Sequence, residues 1–285
     1  MKKNILITGS SGYIGQHLIK ILQKNYNVYG IDKDPCINDY LKHRNFMQMN
    51  IRYDIADFLF AIHDWPMEFD AVIHLAALVN VGESELHPIQ YYITNLNGTM
   101  NVINRIKTKN FIFASTGAAE GCASAYGVSK RASEDVVRDL CRKRGIDYTT
   151  FRFYNVIGSD GFEPTNPDGL MSNLIKAVDT GTFTIHGTDY DVSNDGTCVR
   201  DYVHVMEICD AIKTAIEKPS NSVECLGHGV GYTVREMVTM FQQVNDVDFL
   251  ISSGPRRKGD LPSSVLKNVS PYMRNLYTME QLLKV

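Results

Sequence analysis

The sequence lacks an excess of charge of either sign. Its 29 lysines and arginines nearly balance 32 aspartates and glutamates, so the formal net charge is -3 at pH 7. The chain therefore offers no bulk electrostatic attraction to nucleic acid or to an anionic membrane surface. Apolar runs of about 18 residues, which a membrane-spanning helix needs, are absent too. The apolar run in the opening MKKNILITG is too short for a signal peptide, so we expect no secretion signal.

Cysteines at metal-binding spacing are also missing. The six cysteines are scattered, without Cys-x-x-Cys or the Cys and His spacing that is typical of zinc sites. They stand at positions 36, 122, 141, 198, 209 and 225. We therefore expect no metal site, and reduced thiols in a cytoplasmic protein.

A glycine-rich turn follows the first apolar run, residues 4–8. Gly9, Gly12 and Gly15 fall between this predicted strand and a helical stripe of apolar residues. Glycines in such a turn let the backbone approach a pyrophosphate at the start of a helix, where free amides and the helix dipole favour an anion. The pattern predicts a dinucleotide site.

The next predicted strand, 27–31, ends in Asp32. A carboxylate about 20 residues beyond the glycines can accept ribose hydroxyls and would repel a 2′-phosphate, which favours NAD over NADP. Lys33 beside it weakens that preference slightly. A glycine-rich turn with a solvent-facing aspartate remains the alternative.

Strands and helices alternate through the first half of the chain. This order favours an α/β fold with a doubly wound parallel (Rossmann) sheet. Further strands are predicted over 46–51, 70–76, 111–114 and 147–153, with a long helix over 88–102. The fourth strand ends in small residues, Ala76 and Ala77, which would allow close approach of a cofactor. His74 within it is predicted to be a core histidine without a functional role.

From about Gly158 the composition changes to glycine, proline and acidic residues, which is typical of irregular, ligand-facing structure. Helices over 170–178 and 206–217 and strands over 183–186 and 200–205 are predicted beyond it. We expect a Rossmann domain over 1–154, with 198–221 added, and a smaller C-terminal α/β region over 155–285 that binds substrate.

A catalytic layout occupies residues 111–130. Ser115 and Thr116 fall where a buried strand ends, and Tyr126 and Lys130 share one face of a helix at i, i+4 spacing. A phenol titrates near ~10, so it acts as a base near neutrality only beside a cation, which Lys130 could supply. The same Tyr-x-x-x-Lys pattern at 29–33 lies on a strand and the following loop, and we interpret it as accidental.

The densest basic cluster in a predicted loop is GPRRKGD, residues 254–260. Paired arginines there suit a diphosphate. A solvated loop is the alternative.

Together these motifs resemble the extended short-chain dehydrogenase/reductases, and most closely their UDP-galactose 4-epimerase members. The resemblance covers nearly the whole chain. It rests on TGSSGYIG at 8–15, VGES at 81–84, YYITNLNGT at 91–99, FIFAST at 111–116, YGVSK at 126–130, DGTCVRDYVHV at 195–205 and PRRKGDLP at 255–262.

The resemblance implies a cofactor site, a catalytic group and a substrate site. With the motifs above, the expected NAD-binding residues are Gly9, Gly12, Tyr13, Ile14, Gly15, Asp32, Lys33, Asn50, Ile51, Leu75, Ala76, Ala77, Thr94, Tyr126, Lys130 and Tyr154. The implied catalytic residues are Thr116, Tyr126 and Lys130. The UDP-sugar would be held by Thr116, Tyr126, Asn155, Asn173, Leu174, Thr184, His186, Arg200, Arg257, Asp260 and Ser264. Members of the family often dimerise through two helices, here 88–102 and 128–144, which implies a homodimer.

Several positions depart from the family pattern. Asn50 replaces a usual Asp, Val79 a cofactor-facing Lys and Glu120 a usual Tyr. Only ten positions separate Thr116 from Tyr126, so a loop over the sugar pocket is missing, and the chain stops early after Leu276. These departures bear on substrate identity more than on reaction type.

The activity that the resemblance implies is NAD-dependent 4-epimerisation of a UDP-hexose through a 4-keto intermediate. Ser264, expected beside the C2 substituent, is small enough to admit N-acetylated sugars as well as UDP-glucose and UDP-galactose. A nucleotide-sugar dehydratase or decarboxylase is one alternative, although no acid directly follows Thr116. A catalytically weak dinucleotide-binding scaffold is another.

Overall fold

The computed structural model describes residues 1–284 except 37, 42–44, 54, 56–64, 163, 165, 167–168, 258 and 275. Within these residues a parallel sheet of seven strands forms the centre of the molecule, in the order β10-β6-β5-β4-β1-β2-β3. Helices cover both of its faces. The predicted doubly wound Rossmann sheet is confirmed.

The strands are short, as is usual for an open sheet. They are β1 Asn4–Thr8, β2 Asn27–Asp32, β3 Phe46–Gln48, β4 Ala71–His74, β5 Asn110–Thr116, β6 Asp147–Phe153, β7 Asn155–Ile157, β8 Thr182–His186, β9 Val199–His204, β10 Val223–Leu226, β11 Gly231–Thr233, β12 Leu250–Gly254 and β13 Ser263–Ser264.

The helices lie between the strands and at the end of the chain. They are α1 Tyr13–Leu22, α2 Val81–Leu86, α3 Pro88–Tyr91, α4 Gly98–Arg105, α5 Ala118–Gly121, α6 Ala125–Arg144, α7 Leu170–Thr180, α8 Val205–Glu217, α9 Val234–Asn245 and α10 Met279–Leu283. A π-helical turn, Tyr92–Asn97, joins α3 to α4.

Each face of the main sheet has its own hydrophobic core. Successive residues of β1 show why: Ile5 and Ile7 join the core with α1 and α8, whereas Leu6 joins the opposite core with α4 and α6. Side chains of a strand alternate between faces, so a strand buried on both sides reads as a continuous apolar run.

The C-terminal part forms two smaller sheets. In one, β9 pairs with β7, β11 and β13; in the other, β8 pairs with β12. A third hydrophobic core, which includes Met171, Ile185, Phe241 and Leu283, fills the space between these strands and α7, α9 and α10.

Two segments of the second half return to the main sheet. Helix α8 packs in the core against α1, and β10 pairs in parallel with β6 from Val223 to Leu226. Local sequence patterns predict no strand over 223–226. None of the described helices combines the length and the apolar character that crossing a bilayer requires.

The predicted long helix over 88–102 is interrupted. The structure has α3, the π-helical turn and α4 in succession, and the helical segment continues to Arg105. A π-turn widens the helix by one residue, so the polar side chains inside it change direction.

Candidate active site

The glycine turn places α1 close against the end of β1. Gly9 has a φ of +75°, and a Cβ there would lie 2.8 Å from the backbone nitrogen of Ala76. A Cβ on Gly15 would lie 2.3 Å from the oxygen of Gly9. Both positions therefore require glycine.

Helix α1 begins after Gly12 without a side-chain cap among the described residues. The first-turn N–H groups of such a helix have no acceptor within the helix, so they can bind an anion, which the helix dipole also favours. Within this turn, the Tyr13 hydroxyl donates to the carbonyl oxygen of Gly158, which ties α1 to the loop after β7. Ile14 is half-buried against the first hydrophobic core.

Asp32 is nearly buried at the end of β2. Its Oδ2 accepts from the backbone nitrogen of Ser11 at 2.8 Å, and its Oδ1 accepts from that of Asp34 at 3.0 Å. Each carboxylate oxygen can accept more than one hydrogen bond, so the group can still bind ribose hydroxyls. Lys33 is exposed and forms an ion pair with Asp34 at 3.0 Å.

The other predicted adenosine-side residues lie around the following loop. Asn50 Oδ1 accepts from the backbone nitrogen of Arg52 at 3.0 Å, and Arg52 Nε donates to Thr94 Oγ1 at 2.5 Å. Ile51 is buried, with its side chain against Gly98 of α4. These contacts bring Asn50, Ile51 and Thr94 together.

His74 is a buried core histidine, as predicted. Thr99 donates its hydroxyl to the carbonyl oxygen of Asn95 at 2.5 Å, so its oxygen accepts from His74 Nε2 at 3.0 Å. His74 Nδ1 then accepts from the Thr8 hydroxyl at 2.6 Å, and Thr8 Oγ1 accepts from the nitrogen of Ala76 at 3.3 Å. The chain of bonds makes His74 the Nε2–H tautomer and fixes the backbone at Ala76.

The candidate catalytic residues come from β5 and α6. Thr116 ends β5, and Tyr126 and Lys130 lie one turn apart on the buried face of α6. Tyr126 is 8% exposed and Lys130 is 3% exposed. Lys130 Nζ lies 4.3 Å from the centroid of the Phe113 ring, a cation–π contact when the amine is protonated.

Burial dominates the protonation of this pair. It raises the pKa of Tyr126 to about 12, against the opposing effect of a hydrogen bond with Thr116. It lowers the pKa of Lys130 to about 7, against the opposing charge of Glu134. In the chain alone Tyr126 is therefore a neutral phenol at neutral pH, and the effect that opposes burial comes from Thr116 and not, as we expected, from Lys130.

Tyr154 lies beside the catalytic strand. A Cβ on Gly117 would be 3.1 Å from the Tyr154 ring, so the ring packs against the backbone after Thr116. The Tyr154 hydroxyl donates to Glu120 Oε2 at 3.4 Å. The sequence-predicted cofactor residues Leu75 and Ala77 lie in the segment after β4, where the nitrogen of Leu75 donates to the oxygen of Thr8 at 3.1 Å.

Four of the residues predicted to bind the UDP-sugar lie beside β9 or in the loop that leads to β13. Arg200 Nη2 lies 3.0 Å from Asp260 Oδ1, and Ser264 of β13 pairs in register with Arg200. Arg257 is exposed in the same loop. Lys258 of the basic cluster lies outside the described residues.

The other residues predicted to bind the UDP-sugar are more dispersed. Thr184 and His186 lie on β8, where the Thr184 hydroxyl is 2.8 Å from Ser252 Oγ and His186 Nδ1 is 3.3 Å from the oxygen of Pro255. Asn155 and Asn173 donate to carbonyl oxygens, of Asp201 at 2.9 Å and of Gly169 at 2.8 Å. The Leu174 side chain is fully buried in the third core.

One buried ion pair near the site was not predicted from the sequence. Arg152 binds Glu134 with two hydrogen bonds, at 2.9 Å and 2.7 Å, and Ser115 donates to the same carboxylate at 2.5 Å. The available signal was Glu134 one turn after Lys130 on the face that α6 buries.

A dinucleotide fits this edge of the sheet. Parallel strands end at one edge, and β1 and β4 meet at the reversal of strand order where such folds bind ligands. The uncapped start of α1 and the two obligatory glycines form the anion cradle there. Among the described residues no group of three or more His, Cys, Asp or Glu is placed to hold a metal ion.

Comparison with known proteins agrees with this geometry. Residues 5–225 match the model of the NAD dependent epimerase/dehydratase family. The chain belongs to this family. The resemblance to extended short-chain dehydrogenase/reductases is thereby confirmed.

Individual members of the family are similar along most of their length. The UDP-glucose 4-epimerase of Lactobacillus helveticus is 32% identical, over 92% of this chain and 87% of that protein. The structure of UDP-glucose 4-epimerase from Bifidobacterium longum in complex with NAD+ and UDP superposes with a TM-score of 0.86 at 25% identity, over 98% of this chain and 96% of that one. The UDP-Glc/GlcNAc 4-epimerase of Campylobacter jejuni gives a TM-score of 0.76 at 27% identity, over 99% and 96%.

Proposed function

We propose that this protein is an isomerase that catalyses NAD-dependent 4-epimerisation of UDP-hexoses. The observation that carries the proposal is the buried Tyr126 and Lys130 beside Thr116, at the sheet edge that holds the glycine cradle. The family match and the full-length similarity to UDP-glucose 4-epimerases support it.

Tyr126 accepts the proton of the C4 hydroxyl when C4 is oxidised and returns it when the 4-keto sugar is reduced on its other face. Thr116 hydrogen-bonds the reacting oxygen. When bound, NAD supplies the hydride acceptor and donor together with a positive charge. Because burial holds Tyr126 neutral in the chain alone, the phenolate depends on nearby positive charge, and protonated Lys130 contributes to it.

The cofactor is held by the residues that the glycine turn and its neighbours bring together. The first turn of α1 receives the pyrophosphate, Asp32 accepts the ribose hydroxyls, and Asn50, Ile51 and Thr94 line the adenine side. Leu75, Ala76 and Ala77 form the wall after β4, and Tyr154 closes the nicotinamide side.

The UDP part binds across the C-terminal region. Arg200 and Arg257 hold the diphosphate, with Asp260 orienting Arg200 through their 3.0 Å contact. Asn155, Asn173, Leu174, Thr184 and His186 complete the site. Because UDP is held at several points, the 4-keto sugar can rotate and present its other face while the substrate stays bound.

The substrate range includes N-acetylated sugars. Ser264 is half-buried on β13 beside Arg200, where a small side chain leaves room for the C2 substituent. The short connection between Thr116 and Tyr126 enlarges the pocket further. Similarity to the UDP-Glc/GlcNAc 4-epimerase of Campylobacter jejuni supports this range.

One assay tests the activity and separates it from its alternatives. Purified protein is incubated with NAD and UDP-glucose or UDP-N-acetylglucosamine, and the sugar product is identified by NMR. The 4-epimer is expected. A 4-keto-6-deoxy sugar would show a dehydratase, a pentose a decarboxylase, and unchanged substrate with bound NAD a scaffold.

The proposal includes a homodimer. Apolar side chains are exposed along the segment that leads into the catalytic helix: Leu86 is 74% exposed, Ile89 65%, Ile93 39% and Val128 37%. Burying such residues in a dimer removes apolar surface from water. Sedimentation should show a dimer that Ile89→Asp weakens, whereas Leu250→Asp, at an exposed residue of β12, should leave it intact. A monomeric wild-type protein would contradict the dimer.

Two further parts of the proposal are the domain division and the location. We propose a Rossmann domain over 1–154 with 198–221, a substrate region over 155–285, and a cytoplasmic protein. The free thiol of Cys122, which is exposed, suits a reducing compartment. Limited proteolysis with and without UDP, and cell fractionation, test these two points.

A further inference from the structure

A buried ion pair lies directly beneath the candidate catalytic residues. Glu134 accepts from Arg152 Nε at 2.9 Å and from Arg152 Nη2 at 2.7 Å, and the Ser115 hydroxyl donates to Glu134 Oε1 at 2.5 Å. The Glu134 side chain is 2% exposed and that of Arg152 is 11% exposed. Three elements, β5, β6 and α6, therefore meet at one carboxylate.

The ion pair of Glu134 and Arg152 adjoins the candidate catalytic residues in sequence. Ser115 directly precedes Thr116 on β5, and Glu134 follows Lys130 by one turn of α6. Burying two charges costs about as much as their attraction returns, so apolar residues of the same size would stabilise the fold equally well. The pair therefore needs another reason to be charged.

We propose that Glu134 is a positioning residue for the catalytic group: it locks the strand of Thr116 to the helix of Tyr126 and Lys130, and its charge favours protonated Lys130. The inference rests on the proposed function, because it assumes that Tyr126 reacts as a phenolate.

Glu134 is the charged neighbour that favours the protonated form of Lys130. Within the described residues, Glu134 on the same helix and His74 on β4 interact electrostatically with Lys130, and Tyr126 lies one turn before it on α6. His74 and Tyr126 are both neutral near pH 7, since burial lowers the pKa of the first to about 3 and raises that of the second to about 12. Within the described residues, the charge that opposes the desolvation of Lys130 is that of Glu134.

Arg152 does not cancel this negative charge. Its guanidinium is shared, because Nη1 also lies 3.3 Å from Glu120 Oε1. One guanidinium between two carboxylates leaves a net negative charge next to α6. A protonated Lys130 in turn favours the phenolate of Tyr126.

The test is a spectroscopic titration of the NAD-loaded enzyme. The tyrosinate absorbance of Tyr126 is followed against pH as the difference between each protein and its Tyr126→Phe counterpart. The proteins are wild type, Glu134→Gln, and Asp135→Asn as a control on the neighbouring, half-exposed carboxylate that pairs with Arg138.

Glu134→Gln should titrate about one pH unit higher than wild type, which lowers the phenolate fraction and kcat near neutrality about tenfold. KM for UDP-glucose should change little, and Asp135→Asn should match wild type. A folded Glu134→Gln protein that titrates as wild type does, or an equal shift in Asp135→Asn, overturns the proposal.

A second variant serves if Glu134→Gln does not fold. Glu134→Gln combined with Arg152→Met removes both charges, a change that buried pairs often tolerate. An upward shift is again expected, smaller than in Glu134→Gln because a positive charge is removed with the negative one, and its absence overturns the proposal. If Tyr126→Phe alone keeps normal turnover, the proposed function fails first; if Tyr126 is essential and Glu134 has no effect, only this inference fails.

Discussion

The side-chain amide of Asn95 binds the backbone of Leu78 at both ends: the Leu78 nitrogen donates to Oδ1 at 2.8 Å, and Nδ2 donates to the Leu78 oxygen at 3.0 Å. The same Nδ2 donates to Ser129 Oγ on α6 at 2.9 Å. Asn95 is 1% exposed and lies inside the π-helical turn. One amide thus joins the segment after β4 to the catalytic helix.

Asn95→Ala should lower the free energy of unfolding by about 1–3 kcal/mol, because it leaves the N–H and C=O of the half-buried Leu78 without their side-chain partner. NAD affinity should fall as well, since this segment carries residues of the proposed cofactor site. Urea unfolding and NAD titration measure the two effects. Asn97→Ala, on the exposed side of the same turn, is the control and should stay within about 0.5 kcal/mol of wild type.

Tyr126→Phe should reduce kcat by ~10² to 10⁴ while NAD stays bound, because only the proton acceptor is lost. Stopped assays with UDP-galactose and the cofactor content of the purified protein measure this. Tyr92→Phe, at a half-buried tyrosine of the π-helical turn, should keep wild-type kcat. Near-normal kcat in a folded Tyr126→Phe protein would remove Tyr126 from the mechanism.

Asp32→Ala should relax the preference for NAD over NADP, since the carboxylate both accepts ribose hydroxyls and repels the extra phosphate. Calorimetric titration with each cofactor gives the ratio of dissociation constants. Asp34→Ala, which removes the exposed partner of Lys33, should leave that ratio closer to wild type. A wild-type protein that already prefers NADP would show the assignment of Asp32 to be wrong.

Ser264→Tyr should selectively reduce kcat/KM for the N-acetylated UDP-sugars, because a large ring beside the C2 substituent excludes an acetamido group and tolerates a hydroxyl. Wild type should accept both pairs of sugars. Successive residues of a strand point to opposite faces, so Ser263→Tyr is the matched control. Equal losses on both sugar pairs, or none, would place Ser264 outside the pocket.

His74 should make the fold sensitive to acid. Burial lowers its pKa to about 3 from a model-peptide value of 6.5, so between these limits the unfolded chain binds a proton that the folded chain does not. Stability contributed by neutral His74 is full above the unfolded pKa and falls by about 1.4 kcal/mol per pH unit as pH drops toward 3. His74→Gln, which keeps the Nε2 donor, should flatten this slope in urea unfolding measured from pH 7 to pH 4; an unchanged slope would contradict the assignment.

Much of the fold followed from local patterns. The bounds of β1 and β6 were predicted as they are observed. In β1 a continuous apolar run lies between polar residues, and β6, DYTTFRF, is rich in the aromatic and β-branched residues that favour strands. The predicted strands 46–51 and 70–76 are observed as the shorter β3 and β4. The observed strands are shorter because pairing stops where the neighbouring strand ends. The position of that neighbour cannot be predicted from the segment's own residues.

The second half was harder to predict. Strand β10 joins the main sheet by pairing with β6, a contact between segments about 70 residues apart, and the short strands β11 to β13 are held by pairing with β8 and β9. Strands this short have too few residues for a periodic pattern to show. Tertiary pairing, and not local propensity, makes them strands.

The sequence by itself determined the spacing of Gly9, Gly12 and Gly15, the acid at Asp32 and the i, i+4 placement of Tyr126 and Lys130, since these depend on backbone geometry over a few residues. Only the tertiary structure decided that Tyr126 is a neutral phenol, that the pKa of Lys130 is about 7 and that Glu134 is bound to Arg152. The physical reason is desolvation: the free energy of a charge depends on how much water the whole fold removes from around it. Residues from elsewhere in the chain, such as Phe113 of β5 beside Lys130, take the place of that water.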